Sequence, residues 1–184
     1  MTSDSPSRRA ILAGAALAAA PAASLAAEPP SGFQPPMAAT FPLQPPRTEL
    51  VWEAYADLDP LIDMGESPLG HRRMIPVRGG TFVGPRIKGK VLPGGADRQL
   101  VRKDGVTLLD ALYEMQTDDG AVLTIRNRVT VDPAAKPQAY IRSSVEVTAP
   151  EGPHAWLNRA VFVGTLHPLP PEKKAVVIRV YQVV

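Results

Sequence analysis

From residue 48 to the C-terminus, turn signals divide the chain into short runs rich in β-branched, aliphatic and aromatic residues. The clearest signals are the Asp-Gly steps in KDG at 103–105 and DDG at 118–120. An Asp-Gly step between two such runs is typical of a β-hairpin. The nearest candidate for a helix, WEAYADLDPLIDM, is interrupted by Pro60. The pattern therefore predicts an all-β domain with little helix.

We expect about nine strands in this region. A count of this size with hairpin spacing is typical of a β-barrel or a β-sandwich. The predicted strands are approximately 48–57, 72–77, 81–91, 98–103, 106–117, 121–128, 139–148, 156–165 and 175–183.

Six of the fourteen glycines lie within residues 79–100, GGTFVGPRIKGKVLPGGADRQL. Gly84, Gly89 and Lys90 have the spacing of a phosphate-binding loop, but Val91 stands where that loop needs Ser or Thr. The glycines and proline that follow exclude the helix whose N-terminus would bind a phosphate. The segment therefore argues against a nucleotide site.

A tightly curved sheet explains these glycines better. Glycine within a strand marks a bulge or a sharp bend, such as those that allow a sheet to close on itself. The Gly94-Gly95 pair would then form a turn that presents Asp97 at the rim or inside the sheet.

The N-terminus predicts export. Residues 7–12 read SRRAIL, an alanine-rich stretch follows, and Ser24-Leu25-Ala26 provides small residues for cleavage. Residues 1–26 therefore resemble a twin-arginine signal peptide, which predicts a periplasmic or secreted protein without a permanent membrane anchor. Residues 27–47 are proline-rich and predict a linker. The predicted β domain spans residues 48–184.

Composition excludes several classes of site. The chain has no cysteine, so disulfides, thiolate metal sites and cysteine nucleophiles are absent. Its formal net charge is only +2, without a basic block, which argues against a nucleic-acid partner. The three histidines, His71, His154 and His167, lack metal-ligand spacing. The sequence therefore indicates neither a metal nor a cofactor.

Two predicted strands show alternation that assigns their faces. In 106–117, Leu109, Ala111, Tyr113 and Met115 alternate with Asp110, Leu112, Glu114 and Gln116, and the first set should face the interior. In 156–165, the same logic places Trp156, Asn158, Ala160 and Phe162 on one face. An asparagine on that face would either be paired in the core or face a ligand cavity.

Four segments in this order resemble the domain of unknown function 3237 family. They are GGTFVGP at 79–85, PGGAD at 93–97, TDDG at 117–120 and WLN at 156–158, and the closing VVIRVYQV agrees with them. The resemblance covers roughly residues 48–184. It implies a single antiparallel β-barrel of calycin or lipocalin-like shape, with about eight to ten strands, whose biochemical function is largely unassigned.

The chain departs from the family pattern at two places. Arg98 stands where the family usually has tryptophan after the aspartate of PGGAD, and RNRV at 126–129 stands where a glycine is common. If that tryptophan lines a pocket, this member should bind a smaller or more anionic ligand, or none.

The polar residues in these segments provide candidates for an active site. We expect Asp97 or Asp118 to act with Tyr113 as a general acid and base. The expected ligand-binding residues are Arg72, Arg142, Trp156 and Asn158. Structural roles stay open for all of them: turn capping for the aspartates, core packing for the aromatic residues, and ion pairing for the arginines.

Three functions fit this sequence. The first is a cofactor-free lyase or isomerase that acts on a small molecule through an aspartate and Tyr113. The second is a non-catalytic carrier for an apolar or aromatic metabolite. The third is a structural or partner-binding barrel without a ligand cavity. Open sheet edges could also support a homodimer.

Overall fold

The computed structural model describes residues 35–169 and 173–184. The predicted signal peptide and the first part of the predicted linker, up to residue 34, lie outside the described residues. Pro46–Val184 forms one compact unit. None of the helices described here is long and apolar enough to cross a membrane.

Ten strands and one short 3-10 helix, Ala155–Arg159, make up the described part of this unit. The strands are β1 (Thr48–Leu58), β2 (Ile62–Ser67), β3 (Gly70–Val83), β4 (Lys88–Val91), β5 (Ala96–Val101), β6 (Thr107–Thr117), β7 (Val122–Asp132), β8 (Tyr140–Thr148), β9 (Phe162–Pro168) and β10 (Ala175–Val183).

The strands form a closed antiparallel barrel with eight positions. β1 pairs with β10 on one side and with β3 on the other, so the first and last strands meet. β9, β8, β7 and β6 follow β10 in order. β4 and β5 share the position between β3 and β6, and β2 extends the β1 position along the first half of β3. The prediction of an all-β antiparallel barrel with little helix is confirmed.

Glycine permits the close approach of β3 to β1 where the barrel closes. Gly80 has a φ of +144°, and a Cβ atom built on it would lie 2.0 Å from the carbonyl oxygen of Tyr55. No side chain fits at that distance, so the β1–β3 contact requires glycine here. The glycine-rich segment therefore serves sheet curvature, as the sequence indicated.

Large apolar side chains fill one half of the barrel. Trp52 and Phe162 pack with ring centroids 6.1 Å apart, and Leu157 from the 3-10 helix covers this end. Other fully buried members of this core are Met115, Leu123, Ile125 and Val180. Close packing at this end confines open space to the opposite half.

The predicted strand over 156–165 is wrong in its first part. Residues 155–159 form the 3-10 helix, and β9 begins only at Phe162. Trp156 and Asn158 therefore do not lie on a strand face with Phe162. The physical reason is local, because Pro150, Gly152 and Pro153 interrupt pairing before this segment.

One strand was absent from the sequence prediction. β2 lies in the segment that the sequence offered as the nearest helix candidate, after Pro60. Glycine at position 65 and exposed side chains along β2 weaken both the helical and the alternating signal.

Candidate functional site

The half of the barrel opposite Leu157 encloses a cavity of about 280 Å³. Its walls are mostly apolar and come from the inward faces of β1, β3 and β5–β10. They include Leu58, Ile75, Val77, Leu109, Val129, Leu166 and Ile178. A cavity of this size is near the lower end of the range for small-molecule sites, about 300–1,000 Å³.

Six polar side chains project into this cavity: Arg73, Asp97, Gln99, Thr107, Tyr113 and Asn127. Four of them carry a buried polar atom with no hydrogen-bond partner among the described residues. These atoms are Arg73 Nε, Asp97 Oδ1, Tyr113 Oη and Asn127 Oδ1. Buried polar atoms are normally paired in proteins. Three other buried atoms without a partner, on Trp52, Ser143 and Thr165, lie outside this cavity. The grouping of four such atoms around one cavity marks it as the candidate site.

Strand register places three of these groups around one small residue. Asp97 on β5 lies opposite Ala111 on β6, and Ala111 lies opposite Asn127 on β7. Tyr113 follows Ala111 by two residues on the same inward face. Because Ala111 has only a methyl group, the space above it is open to Asp97, Tyr113 and Asn127.

Arg73 and Gln99 form the next inward row. They are cross-strand partners on β3 and β5, and each is two residues from the row of Asp97. The Gln99 side-chain amide donates a hydrogen bond of 2.7 Å to Asp97 Oδ2. This bond orients the Asp97 carboxyl group, and the other oxygen, Oδ1, is buried without a hydrogen-bond partner among the described residues.

Burial shifts the titration of the two central groups in the same direction. Desolvation raises the pKa of Asp97 above its ordinary value of 3.8, and the hydrogen bond from Gln99 opposes this shift. Desolvation also raises the pKa of Tyr113 well above its ordinary value. Tyr113 is therefore a neutral hydroxyl donor at physiological pH.

The structure brings together Asp97 and Tyr113 but not the third predicted catalytic residue. Asp118 lies exposed in the turn between β6 and β7, where it forms a 3.4 Å ion pair with Lys88. That turn belongs to the packed end of the barrel, so Asp118 is not part of the cavity.

Arg72 and Arg142 both face outward. Arg72 alternates with Arg73 on β3, and Arg73 is the one that lines the cavity. Arg142 donates a 2.8 Å hydrogen bond to the Ile141 carbonyl and lines a wide outer depression of about 1000 Å³. This depression is larger than the interior cavity, but it lies on the outer wall and is open to solvent.

Trp156 and Asn158 also lie outside the cavity. The Trp156 ring stacks under the guanidinium of Arg86 at 4.0 Å. The Asn158 amide group exchanges two 2.9 Å hydrogen bonds with the backbone of Ala149. The side-chain amide therefore forms the same two hydrogen bonds that the backbone of a neighbouring strand would form, and it holds the 3-10 helix to the end of β8.

Arg98 does not alter the cavity. It is exposed on the outer face of β5, while its neighbours Asp97 and Gln99 face inward. The condition for a changed ligand, a residue at this position that lines the pocket, is therefore not met in this chain, because strand alternation points the side chain away from the interior.

The sequence analysis does not identify four polar residues of the cavity: Arg73, Gln99, Thr107 and Asn127. Asn127 had a usable signal, because it shares the inward phase of β7 with Leu123, Ile125 and Val129. A polar residue in such an apolar phase faces the interior. The sequence does not show which residue of the adjacent pair Arg72 and Arg73 faces inward on β3, because both are arginine.

A second polar cluster lies at the packed end. His154 Nε2 is 3.0 Å and 2.9 Å from the two carboxyl oxygens of Asp119, and the Thr117 hydroxyl donates to the same carboxylate. These hydrogen bonds, that from Thr117 first, lower the pKa of Asp119. Over the described ranges, no group of three or more histidine or acidic side chains is arranged to bind a metal ion.

Comparison with known proteins agrees with this architecture. A family described as "Protein of unknown function (DUF3237)" matches residues 46–183. A UPF0311 protein of Rhodopseudomonas palustris (strain TIE-1) is 31% identical over 131 residues, which cover 64% of this chain and 86% of the relative.

Two solved structures extend the comparison. A β-barrel-like protein from Acinetobacter baumannii AYE superposes with a TM-score of 0.72 at 30% identity, over 78% of this chain and 99% of that chain. An enzyme from Penicillium herquei superposes with a TM-score of 0.62 at 25% identity, over 77% of this chain and 97% of that chain. The matched residues and the shared barrel confirm the family resemblance of the sequence. The chain therefore belongs to the DUF3237 family of proteins of unknown function.

Proposed function

We propose that this protein is a cofactor-free acid–base catalyst, a lyase or isomerase, that acts on a small and mainly apolar molecule inside the barrel. One observation carries the proposal. Asp97, Tyr113 and Asn127 surround the space above Ala111, and each has a buried polar atom that no described residue pairs. Buried polar atoms are normally paired, so three unpaired atoms around one cavity favour an interior that binds a ligand.

The chemistry follows from the properties of the two titratable groups. Ionised Asp97 would remove a proton from a carbon next to a carbonyl group. Burial raises its pKa toward the working pH, which strengthens it as a base and makes it an effective acid once protonated. The neutral Tyr113 hydroxyl would donate a hydrogen bond to the enolate oxygen as charge develops on it.

The reaction is completed when Asp97 gives up the proton, which can happen in two ways. In an isomerisation, Asp97 returns it to another carbon of the same molecule. In an elimination, the bond between the neighbouring carbon and the leaving group breaks, a double bond forms between the two carbons, and Asp97 gives the proton to the leaving group. Neither route needs an oxidant, a reductant or a cofactor. Asn127 Oδ1 would accept a hydrogen bond from a hydroxyl or amine group of the ligand and so orient the ligand between the other two residues.

The Penicillium herquei neighbour supports catalysis, since that protein is described as an enzyme and almost its whole length superposes. The apolar walls of the cavity would also suit a carrier that binds a metabolite without changing it. The two functions differ only in whether bound ligand exchanges protons or is converted.

The test combines a binding screen with an exchange assay. Metabolites that raise the melting temperature of the full chain in a concentration-dependent way would be collected. Each would then be incubated in D₂O and followed by NMR for deuterium uptake or product. We expect Asp97→Asn and Tyr113→Phe to abolish or strongly reduce exchange, and Asp118→Asn, in the exposed turn between β6 and β7, to leave it unchanged. Binding without any exchange in the unaltered protein would contradict catalysis and indicate a carrier.

A further inference from the structure

Arg73 is the one positively charged side chain among the described residues that line the interior cavity. Arg73 forms none of the ion pairs found between described residues, and its Nε atom is buried without a partner. Among the cavity-lining residues that the structure describes, Asp97 is the only acidic one. An uncompensated charge in a partly desolvated site is costly, so an anion brought by a ligand would be favoured.

Asp97 is poorly suited to neutralise Arg73. Its carboxyl group accepts a hydrogen bond from Gln99, and the ion pairs between described residues include none between Asp97 and Arg73. The attraction of Arg73 is the smallest of the effects that act on the pKa of Asp97. The charge of Arg73 therefore remains available to a ligand.

We propose that the ligand of this cavity is a small carboxylic acid whose carboxylate binds Arg73 and whose apolar part extends toward Asp97 and Tyr113. The proposal rests on the proposed function, since it places the substrate in the same cavity. The atom without a partner, Arg73 Nε, indicates which kind of anion would fit. Nε and one terminal nitrogen of arginine present two parallel donors, and a carboxylate accepts both at once.

Strand register separates this carboxylate from the reacting atom. Arg73 and Gln99 lie one inward step from the row of Asp97, Ala111 and Asn127, and such a step is about 6.8 Å of strand. Tyr113 lies one step further in the same direction. The carboxylate is therefore an anchor, and the carbon that loses its proton lies several bonds away. The cavity volume of about 280 Å³ limits the rest of the molecule to roughly a single ring or a short chain.

Matched ligand pairs test this inference directly. The full chain would be titrated at pH 7 with 3-phenylpropanoate, cyclohexanecarboxylate and hexanoate, and with the primary amide of each acid. The acid and its amide have nearly the same shape but differ in charge. We expect at least one acid to bind about tenfold or more tightly than its amide, as measured by calorimetry, because hydrogen bonds to a charged group are the stronger kind.

Variants at two adjacent positions assign the effect. Arg73→Met should abolish the preference for the acid, and Arg73→Lys should retain part of it, because lysine keeps the charge but not the paired donors. Arg72→Met, one residue away on the outer face, should retain the whole preference. Arg73→Lys also provides a second measurement if the Arg73→Met protein does not fold.

The outcomes separate this inference from the proposed function. Equal binding of acid and amide, no binding of either series at millimolar concentration, or an unchanged preference in Arg73→Met would overturn the inference. If neutral carbonyl compounds nevertheless exchange protons through Asp97, the proposed function stands without it. If acids bind through Arg73 but no ligand exchanges a proton, the anion site stands and the proposed catalysis fails.

Discussion

Gly95 and Tyr113 lie so close together that a Cβ atom on Gly95 would be 2.4 Å from the Cβ atom of Tyr113. The same atom would be 2.7 Å from the carbonyl oxygen of Leu112. The glycine turn before β5 therefore packs directly against the residue that we propose as the hydroxyl donor. The glycine-rich segment thus has two roles: Gly80 permits barrel closure, and Gly95 permits the close packing against Tyr113.

We predict that Gly95→Ala displaces Tyr113. The added methyl group must push β5 away from β6, and overpacking of this kind costs about 1–3 kcal/mol. Near-ultraviolet circular dichroism would report the changed tyrosine environment, and ligand binding should weaken. Gly94→Ala is the matched control, because its Cβ atom would meet nothing within 4 Å, although its φ of +109° adds strain. An equal change in tyrosine signal and binding in both variants would show that the contact with Tyr113 is unimportant.

Tyr113→Phe should separate activity from stability. The hydroxyl is buried without a partner among the described residues, so its removal should leave the free energy of unfolding unchanged or raise it by up to about 1 kcal/mol. Loss of a donor to a developing oxyanion should slow proton exchange by about 100-fold or more. Urea denaturation and the exchange assay measure the two effects. A clear loss of stability would instead mean that Tyr113 is a structural residue.

Asp97→Asn should make the protein more stable than the unaltered chain at neutral pH. The pKa of Asp97 is raised in the folded state, so between 3.8 and the higher folded value the native state keeps a proton that the unfolded chain has lost. Stability therefore falls as pH rises through this interval, and the loss persists above it. Asparagine cannot ionise, so the variant should lack this fall. Urea denaturation from pH 4 to pH 8 measures it.

Asp110→Asn, on the neighbouring strand, is a control in which the change in stability should have the opposite sign. The hydrogen bond from Arg126 lowers the pKa of Asp110, so its contribution is present above 3.8 and is lost as pH falls through the lower folded value. Its removal should cost less than about 1 kcal/mol at neutral pH, because the pair is exposed. If both variants changed stability in the same direction, the proposed burial of Asp97 would be wrong.

Turn chemistry and two-residue alternation were sufficient to predict most of the fold. The alternation over 106–117 placed Leu109, Ala111, Tyr113 and Met115 inside, as observed. It failed for the 3-10 helix, because a period of two can be traced through any short segment. Here the prolines and glycine that precede the segment interrupt strand pairing, and tertiary contacts then hold the 3-10 turn. The two hydrogen bonds between Asn158 and Ala149 are such contacts.

The candidate site was less predictable than the fold. Asp97 and Tyr113 were identified because a glycine turn and a clear alternation fixed their phase. Arg72 was preferred to Arg73, and a shift of one residue moves a side chain from the inside to the outside of a barrel. Convergence of Arg73, Asp97 and Asn127 depends on cross-strand register, which a single sequence does not contain.

Ala111→Leu should close the cavity without unfolding the barrel. The larger side chain would occupy the space between Asp97 and Asn127, where the cavity can accept it, so stability should stay within about 1 kcal/mol or rise. Ligands found by the binding screen should no longer raise the melting temperature. Leu112→Ala is the control, since Leu112 is 45% exposed on the outer face and its truncation should leave binding intact. Retained binding in Ala111→Leu would place the ligand elsewhere.

Asp119→Asn should loosen the packed end of the barrel. Asp119 connects the β6–β7 turn to His154, the residue before the 3-10 helix, and the backbone amide of Leu157 donates to His154 at 3.0 Å. Loss of the carboxylate should therefore speed hydrogen exchange of the Leu157 amide.

In the unaltered protein the same loosening should occur at acid pH. The pKa of Asp119 is lowered, so its contribution is present above 3.8 and is lost as pH falls through the lower folded value. Asp118→Asn changes the neighbouring, exposed carboxylate and should have no effect on Leu157, so equal exchange in the two variants would show that the His154–Asp119 contact does not hold this end of the barrel.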